Sequence, residues 1–76
     1  MMRVPDSFPE GTKFIATFSG EEIAVFPDGS SFKLDDSGET LSPMAVPDKG
    51  AAPMSERAFL VCASDLRAFN AKKAAS

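Results

Sequence analysis

The chain has 76 residues, 43% of them hydrophobic and 25% charged, with seven Phe, one Cys, no His and a formal net charge of −3. That length suits one small domain, which buries only about 60% of its unfolded surface, and the apolar content lies well above that of disordered chains. The missing histidine removes the commonest general base and the commonest ligand for borderline metals, and a lone cysteine leaves neither an intramolecular disulfide nor a Cys/His zinc cluster.

In chain order, residues 1–11 read as an irregular lead-in, because Pro5 and Pro9 restrict their predecessors and disfavour helix. Phe8 folds back onto the core in this reading. Thr12 to Phe18 alternates, with Phe14, Ala16 and Phe18 on one side and Lys13, Ile15 and Thr17 on the other, which predicts a half-buried strand. Ser19-Gly20 is a tight turn and Glu22 to Phe26 the returning strand. Pro27-Asp28-Gly29-Ser30 is a strong turn signal. Ser31 to Asp35 follows as a third strand, with Phe32 and Leu34 facing in and Lys33 facing out, the alternation of an antiparallel sheet with one wet face. Asp36 to Glu39 turns the chain again, and Thr40-Leu41 begins a short fourth strand.

Residues 42–55 carry Pro43, Pro47 and Pro53 together with Gly50, and read as an exposed proline-rich loop. A short strand at Met44-Ala45-Val46 is an option, and Met44 and Met54 pin the loop ends to the core or offer adaptable contacts to a partner. The run Arg57 to Phe69 is the most apolar part of the chain and fits two descriptions. One is a buried strand at 58–63 followed by a helix that Ser64 caps, with Leu66 and Phe69 as its anchors. The other is one helix from 55 to 73, supported by the staple pair Met54 and Phe59 around Ser55. The first is the expectation taken forward. The tail 71–76 is expected to fray.

The fold class expected is α+β: a small antiparallel β-meander of three to five short strands with one C-terminal helix. Closure into an SH3-like barrel is the alternative.

No chemistry emerges from the motifs. No serine sits in a Gly-x-Ser-x-Gly elbow and no glycine-rich phosphate loop is present. Asp35-Asp36-Ser37-Gly38-Glu39 clusters carboxylates around a glycine, but position 44 is Met where an EF-hand needs its bidentate Glu. Cys62, between Val61 and Ala63, reads as a small buried hydrophobe. Neither a metal nor a cofactor is expected, nor an enzyme. Direct nucleic-acid binding is not expected either, because Lys13 and Lys33 are the only cations on strands rich in acids, and an acidic DNA mimic needs more carboxylates than a net −3 provides.

Charge is uneven along the chain. Residues 1–48 carry nine acids against Arg3, Lys13 and Lys33, a balance of −6, whereas residues 49–76 carry five cations against Glu56 and Asp65, a balance of +3. The residues up to Asp6 lack a signal-peptide apolar run and no stretch approaches the ~20 apolar residues of a membrane span, so a cytoplasmic location is expected. The functional expectation is a small acidic binding protein that acts through protein–protein contact, of the type that phages and mobile elements encode as inhibitors or accessory proteins of bacterial host proteins. Its contact residues are expected to be Glu21, Glu22, Asp28, Asp35, Asp36 and Glu39, with Asp48, Lys49 and Met54 from the proline-rich loop. The alternative is a structural protomer, a virion component or a homodimer, joined through edge strands or through Leu60 and Phe69.

Overall fold

The computed structural model describes residues 2–75. The elements are β1 (Met2–Arg3), β2 (Lys13–Thr17), β3 (Glu22–Val25), β4 (Ser31–Leu34), β5 (Thr40–Pro43), β6 (Ala51–Met54) and α1 (Glu56–Ala75). The strands form one antiparallel sheet in the order β1-β5-β4-β3-β2-β6. The architecture is α+β. The sheet is open, with β1 and β6 as its edges, so the barrel alternative does not form.

The central meander follows a regular device. Gly11, Gly20, Gly29 and Gly38 recur every nine residues and all have positive φ. In the β2–β3 hairpin the Gly20 N–H donates to the Thr17 carbonyl (3.1 Å) and the Thr17 N–H to the Glu21 carbonyl (2.8 Å). The β3–β4 hairpin repeats the pattern with Gly29 to Phe26 and Phe26 to Ser30. This is a type I turn closed by a glycine in the left-handed region, the usual three-residue hairpin connection. The β4–β5 turn, Asp36 to Glu39, holds one residue more: Gly38 N–H still donates to Asp35, but Asp35 N–H reaches on to Thr40.

Register sorts the side chains. Phe14 pairs with Ala24 and Met54, Ala24 with Phe32, and Leu34 with Leu41, placing these on the face that α1 covers. Phe59 and Ala63 of α1 are fully buried there. Phe8 returns to this core as expected, its ring 4.9 Å from that of Phe14 and 5.6 Å from that of Phe59, both edge-on. Met2–Arg3 pairs with β5, so the lead-in is not wholly irregular. On the opposite face Ile15 pairs with Ile23, and Ile23 has no exposed surface. The connection 44–50 crosses this side. It leaves β5 at Met44, whose N–H bonds Ser31, and reaches β2 at Gly50, whose carbonyl accepts from Phe18, while Met44, Pro47 and Thr17 line one hollow between.

The proline-rich segment 42–55 is therefore not all loop. Met44-Ala45-Val46 forms no strand, and the strand in this region is β6. The Phe18 N–H to Gly50 carbonyl bond makes that pair hydrogen-bonded, so by alternation the pair Ile15–Pro53 is not. The N–H that Pro53 lacks would have pointed outward, which is where proline is tolerated on an edge.

The run 58–63 is helical, which corrects the expected strand. One helix of 20 residues extends from the Ser55 cap, whose hydroxyl accepts the Ala58 N–H at 3.0 Å. Two physical reasons decide this. No Gly or Pro interrupts residues 56–75, which include six alanines. A seventh strand beyond β6 would also meet an edge where Pro53 has no N–H to donate. The core-facing side of α1 is Phe59 and Ala63, buried, with Leu60, Cys62 and Leu66 half-buried against the core. Ser64 is exposed and mid-helix, and Phe69 is 64% exposed and so not an anchor. The tail expected to fray is helical through Ala75, and Ser76 lies outside the described residues. No helix among the described residues is long and apolar enough to cross a membrane.

Candidate interaction surface

The nine-residue spacing of the turns isolates one anomaly. The first residue of each turn points away from the sheet: in the second and third turns it is Pro27 and Asp36, both exposed, residues with no need of burial. In the first turn it is Phe18, 88% exposed. Strand alternation places Phe18 beside Phe14 and Ala16, but β2 stops at Thr17 and the turn swings the ring outward. The position is also held. The Phe18 N–H donates to the Gly50 carbonyl at 2.8 Å, which ties down the backbone there, and the ring lies near Gly50, where a β-carbon would stand 3.1 Å from it. Gly50 has φ +79°, a second reason for glycine.

Around Phe18 lies an open hollow of about 430 Å³ lined by Thr17, Ser19, Met44, Pro47, Lys49 and Gly50. Val46, 43% exposed, belongs to the same connection. An exposed aromatic beside adaptable Met and rigid Pro side chains has the composition of a contact hot spot. Lys49 lines this hollow, and both it and Asp48 are exposed.

The other expected contact residues divide. Glu21, Glu22, Asp35, Asp36 and Glu39 lie at the end of the sheet that carries the first and third turns, whereas Asp28 lies in the second turn at the opposite end and joins no common surface with them. Asp28 is spent on its own turn, accepting from the Ser30 N–H (2.9 Å) and hydroxyl, which hold its carboxyl below the usual carboxylate range. Asp35 accepts from the Thr40 hydroxyl (2.7 Å) and the Ser42 hydroxyl (2.8 Å), and these two donors likewise lower its pKa. It is a structural clamp across β4 and β5. Met54 is half-buried against the core and pairs with Phe14, so it packs inward. Glu21 accepts from the Ser19 hydroxyl at 2.8 Å.

Glu21, Glu22, Asp36 and Asp65 line a second hollow, about 310 Å³, between the first turn and α1, together with Lys33, Leu66 and Cys62. Burial raises the Cys62 thiol pKa, and the neighbouring Glu22 carboxylate raises it further. A thiol so placed is a poor nucleophile. Among the described residues no group of three or more Cys, Asp and Glu is arranged to hold a metal ion.

Part of the cationic C-terminal segment meets the acidic part of the chain. The C-terminal half of α1 lies on the acidic third turn, with the Arg67 guanidinium donating to the Gly38 carbonyl (3.0 Å) and the Asn70 amide to the Asp36 carbonyl (2.9 Å). Cations and acids are interleaved at that end.

Comparison of the chain with protein-family models, with curated proteins and with solved structures returned no match.

Proposed function

We propose that this chain is a small non-catalytic binding protein that acts by contact with another protein chain, with Phe18 as the anchor of the contact. The observation that carries the reading is the 88% exposure of Phe18 beside an open hollow lined by Met44 and Pro47. Isolated apolar residues on a surface are ordinary, but an exposed aromatic beside an apolar hollow is the arrangement that gives interfaces most of their energy. Lys49 supplies the charge at the hollow, with Asp48 next to it in the chain, and charge there governs encounter and specificity more than affinity. The absence of any histidine in the chain supports a non-catalytic role. Action in the cytoplasm, as an inhibitor or accessory of a larger protein, is the form of this function that size and acidity favour.

The test is affinity capture from the producing organism with three baits: the wild type, Phe18→Ser, and a Glu21→Lys/Glu22→Lys/Asp36→Lys variant. One stoichiometric protein held by the wild type and lost with Phe18→Ser, at unchanged Tm, supports the reading. Equal capture by wild type and Phe18→Ser overturns it. Loss only in the charge-reversed bait moves the contact to the acidic hollow beside Cys62.

A further inference from the structure

The connection 44–50 runs from β5 to β6 across the face of β4, β3 and β2 that α1 leaves uncovered, and register fixes what lies beneath it. It starts beside Ser31 and ends beside Phe18. Ser31 is level with Val25 on β3, and Thr17 is level with Glu21. The β3 residue midway between those two on the same face is Ile23. It pairs with Ile15, has no exposed surface, and stands outside the cluster that Phe59 and Ala63 form with the other face. The connection is therefore what covers Ile23, with Ile15 and Val25 half-buried beside it.

The attachments of this segment are at its ends. At the β5 end the Met44 N–H donates to the Ser31 carbonyl (3.2 Å), and the Met44 carbonyl accepts from the Ser31 hydroxyl (2.6 Å). At the β6 end one bond holds it, from the Phe18 N–H to the Gly50 carbonyl (2.8 Å). Among the described residues, none of 45–49 forms a hydrogen bond or ion pair within the chain. Apolar contact is left to hold the middle down. Segments so sparsely tied open first, while the rest of a fold stays intact.

We infer that 44–50 is a strap that opens at its Gly50 end, turning on Met44, and uncovers Ile15, Ile23 and Val25 without unfolding the sheet. Its role as a gate rests on the reading of Phe18 as a contact residue. The hollow beside Phe18 lies between the strap and β2, so the aliphatic floor that opening uncovers is continuous with it. The latch is the Phe18 N–H itself, and Gly50, with φ +79°, is the residue that releases it.

Amide hydrogen exchange of the full chain, followed residue by residue by NMR and corrected for intrinsic rates, tests this. The Phe18 amide is expected to exchange at least about tenfold faster than that of Ala24, which is paired on both sides in the middle of the sheet, and faster than that of Met44 at the hinge. Gly50→Ala sets a β-carbon 3.1 Å from the Phe18 ring at a strained φ, so it should speed the Phe18 amide several-fold more than the Ala24 amide. A second probe reads the floor. In a Cys62→Ala background, the thiol introduced by Ile23→Cys should react with iodoacetamide at the opening frequency of the Phe18 amide in that variant, ahead of Ala24. A Phe18 amide no faster than Ala24 overturns the strap, as does a Met44 amide faster than Phe18 or a thiol at position 23 that keeps pace only with Ala24. Each of these leaves the contact role of Phe18 to the capture experiment. Opening seen by both probes in a protein whose capture ignores Phe18→Ser would overturn the gate and leave the motion standing.

Discussion

Gly38, in the third turn, lies directly against the main-chain carbonyl of Ala63 in the middle of α1. A β-carbon at residue 38 would stand 2.5 Å from that oxygen, 2.8 Å from the Leu66 β-carbon and 2.9 Å from the Arg67 nitrogen. Two backbones thus meet with no side chain between them. Gly38 also has φ +75°. Ala63 is the matching small residue, and the Arg67 and Asn70 side chains close the contact by donating to carbonyls of the same turn.

Gly38→Ala should therefore cost about 3 kcal/mol or more, the sum of a strained left-handed alanine and an overpacked contact that backbone atoms cannot relieve. Gly29→Ala is the control. It has a positive φ like Gly38, in a turn one residue shorter, but meets no heavy atom within 4 Å, so it should lose only about 1 kcal/mol. Urea denaturation of the pair measures the difference, and equal losses would mean that the helix does not press on the third turn.

Ser55→Ala should cost about 1 kcal/mol, because the Ala58 N–H loses its acceptor. Ser64→Ala should be neutral or slightly stabilising, since Ser64 is exposed within a continuous helix where alanine is the better residue. A cost of about 1 kcal/mol at Ser64 instead would place a helix start there.

Phe59 and Phe18 are the same residue type in opposite circumstances, with 0% and 88% of the side chain exposed. Phe59→Ala should lose about 3–5 kcal/mol by opening a cavity among Phe8, Phe14 and Ala63. Phe18→Ala should stay within about 0.5 kcal/mol of the wild type. Thermal melts of both variants separate a core role from a contact role.

Acid sensitivity has a specific source in Asp35. Its folded pKa is depressed by the Thr40 and Ser42 hydroxyls, whereas in the unfolded chain it returns to about 3.9. The stability it contributes is fully present above about pH 4 and is lost as the pH falls through the folded value. Tm should accordingly decline below about pH 4, and less steeply in Asp35→Asn, which cannot titrate. Parallel declines in the two proteins would show that the clamp contributes nothing.

Cys62 should react slowly with iodoacetamide at pH 8, because burial and the Glu22 carboxylate both raise its pKa. Glu22→Gln removes one of those causes and should speed alkylation several-fold at that pH, with a lower midpoint in the rate profile. An unchanged midpoint would dissociate the thiol from Glu22.

Much of the sheet was legible in the residues. Alternation in 12–18 and 31–35 and the turn residues at 19–20, 27–30 and 36–39 mark three hairpins in their observed places, since period-two patterning and positive-φ glycines are local requirements. The nine-residue recurrence of glycine was also there to be read, and it would have identified residue 18 as a turn position and its Phe as misplaced. Less legible were the elements whose pairing is long-range. Ala51-Ala52-Pro53-Met54 has no strand pattern of its own and becomes β6 only because β2 offers it an edge.

By itself the sequence determined the antiparallel meander, its turns and the absence of histidine chemistry, because each depends on residues within a few positions of one another or on composition alone. Tertiary structure decided the rest. Whether 58–63 would be strand or helix depended on the edge that Pro53 blocks, and which acids were free depended on the hydroxyls that Thr40 and Ser42 bring to Asp35. Which phenylalanine was left in water depended on where β2 ends and on the backbone tie to Gly50, some thirty residues away. Such choices are made by contacts between segments distant in the chain.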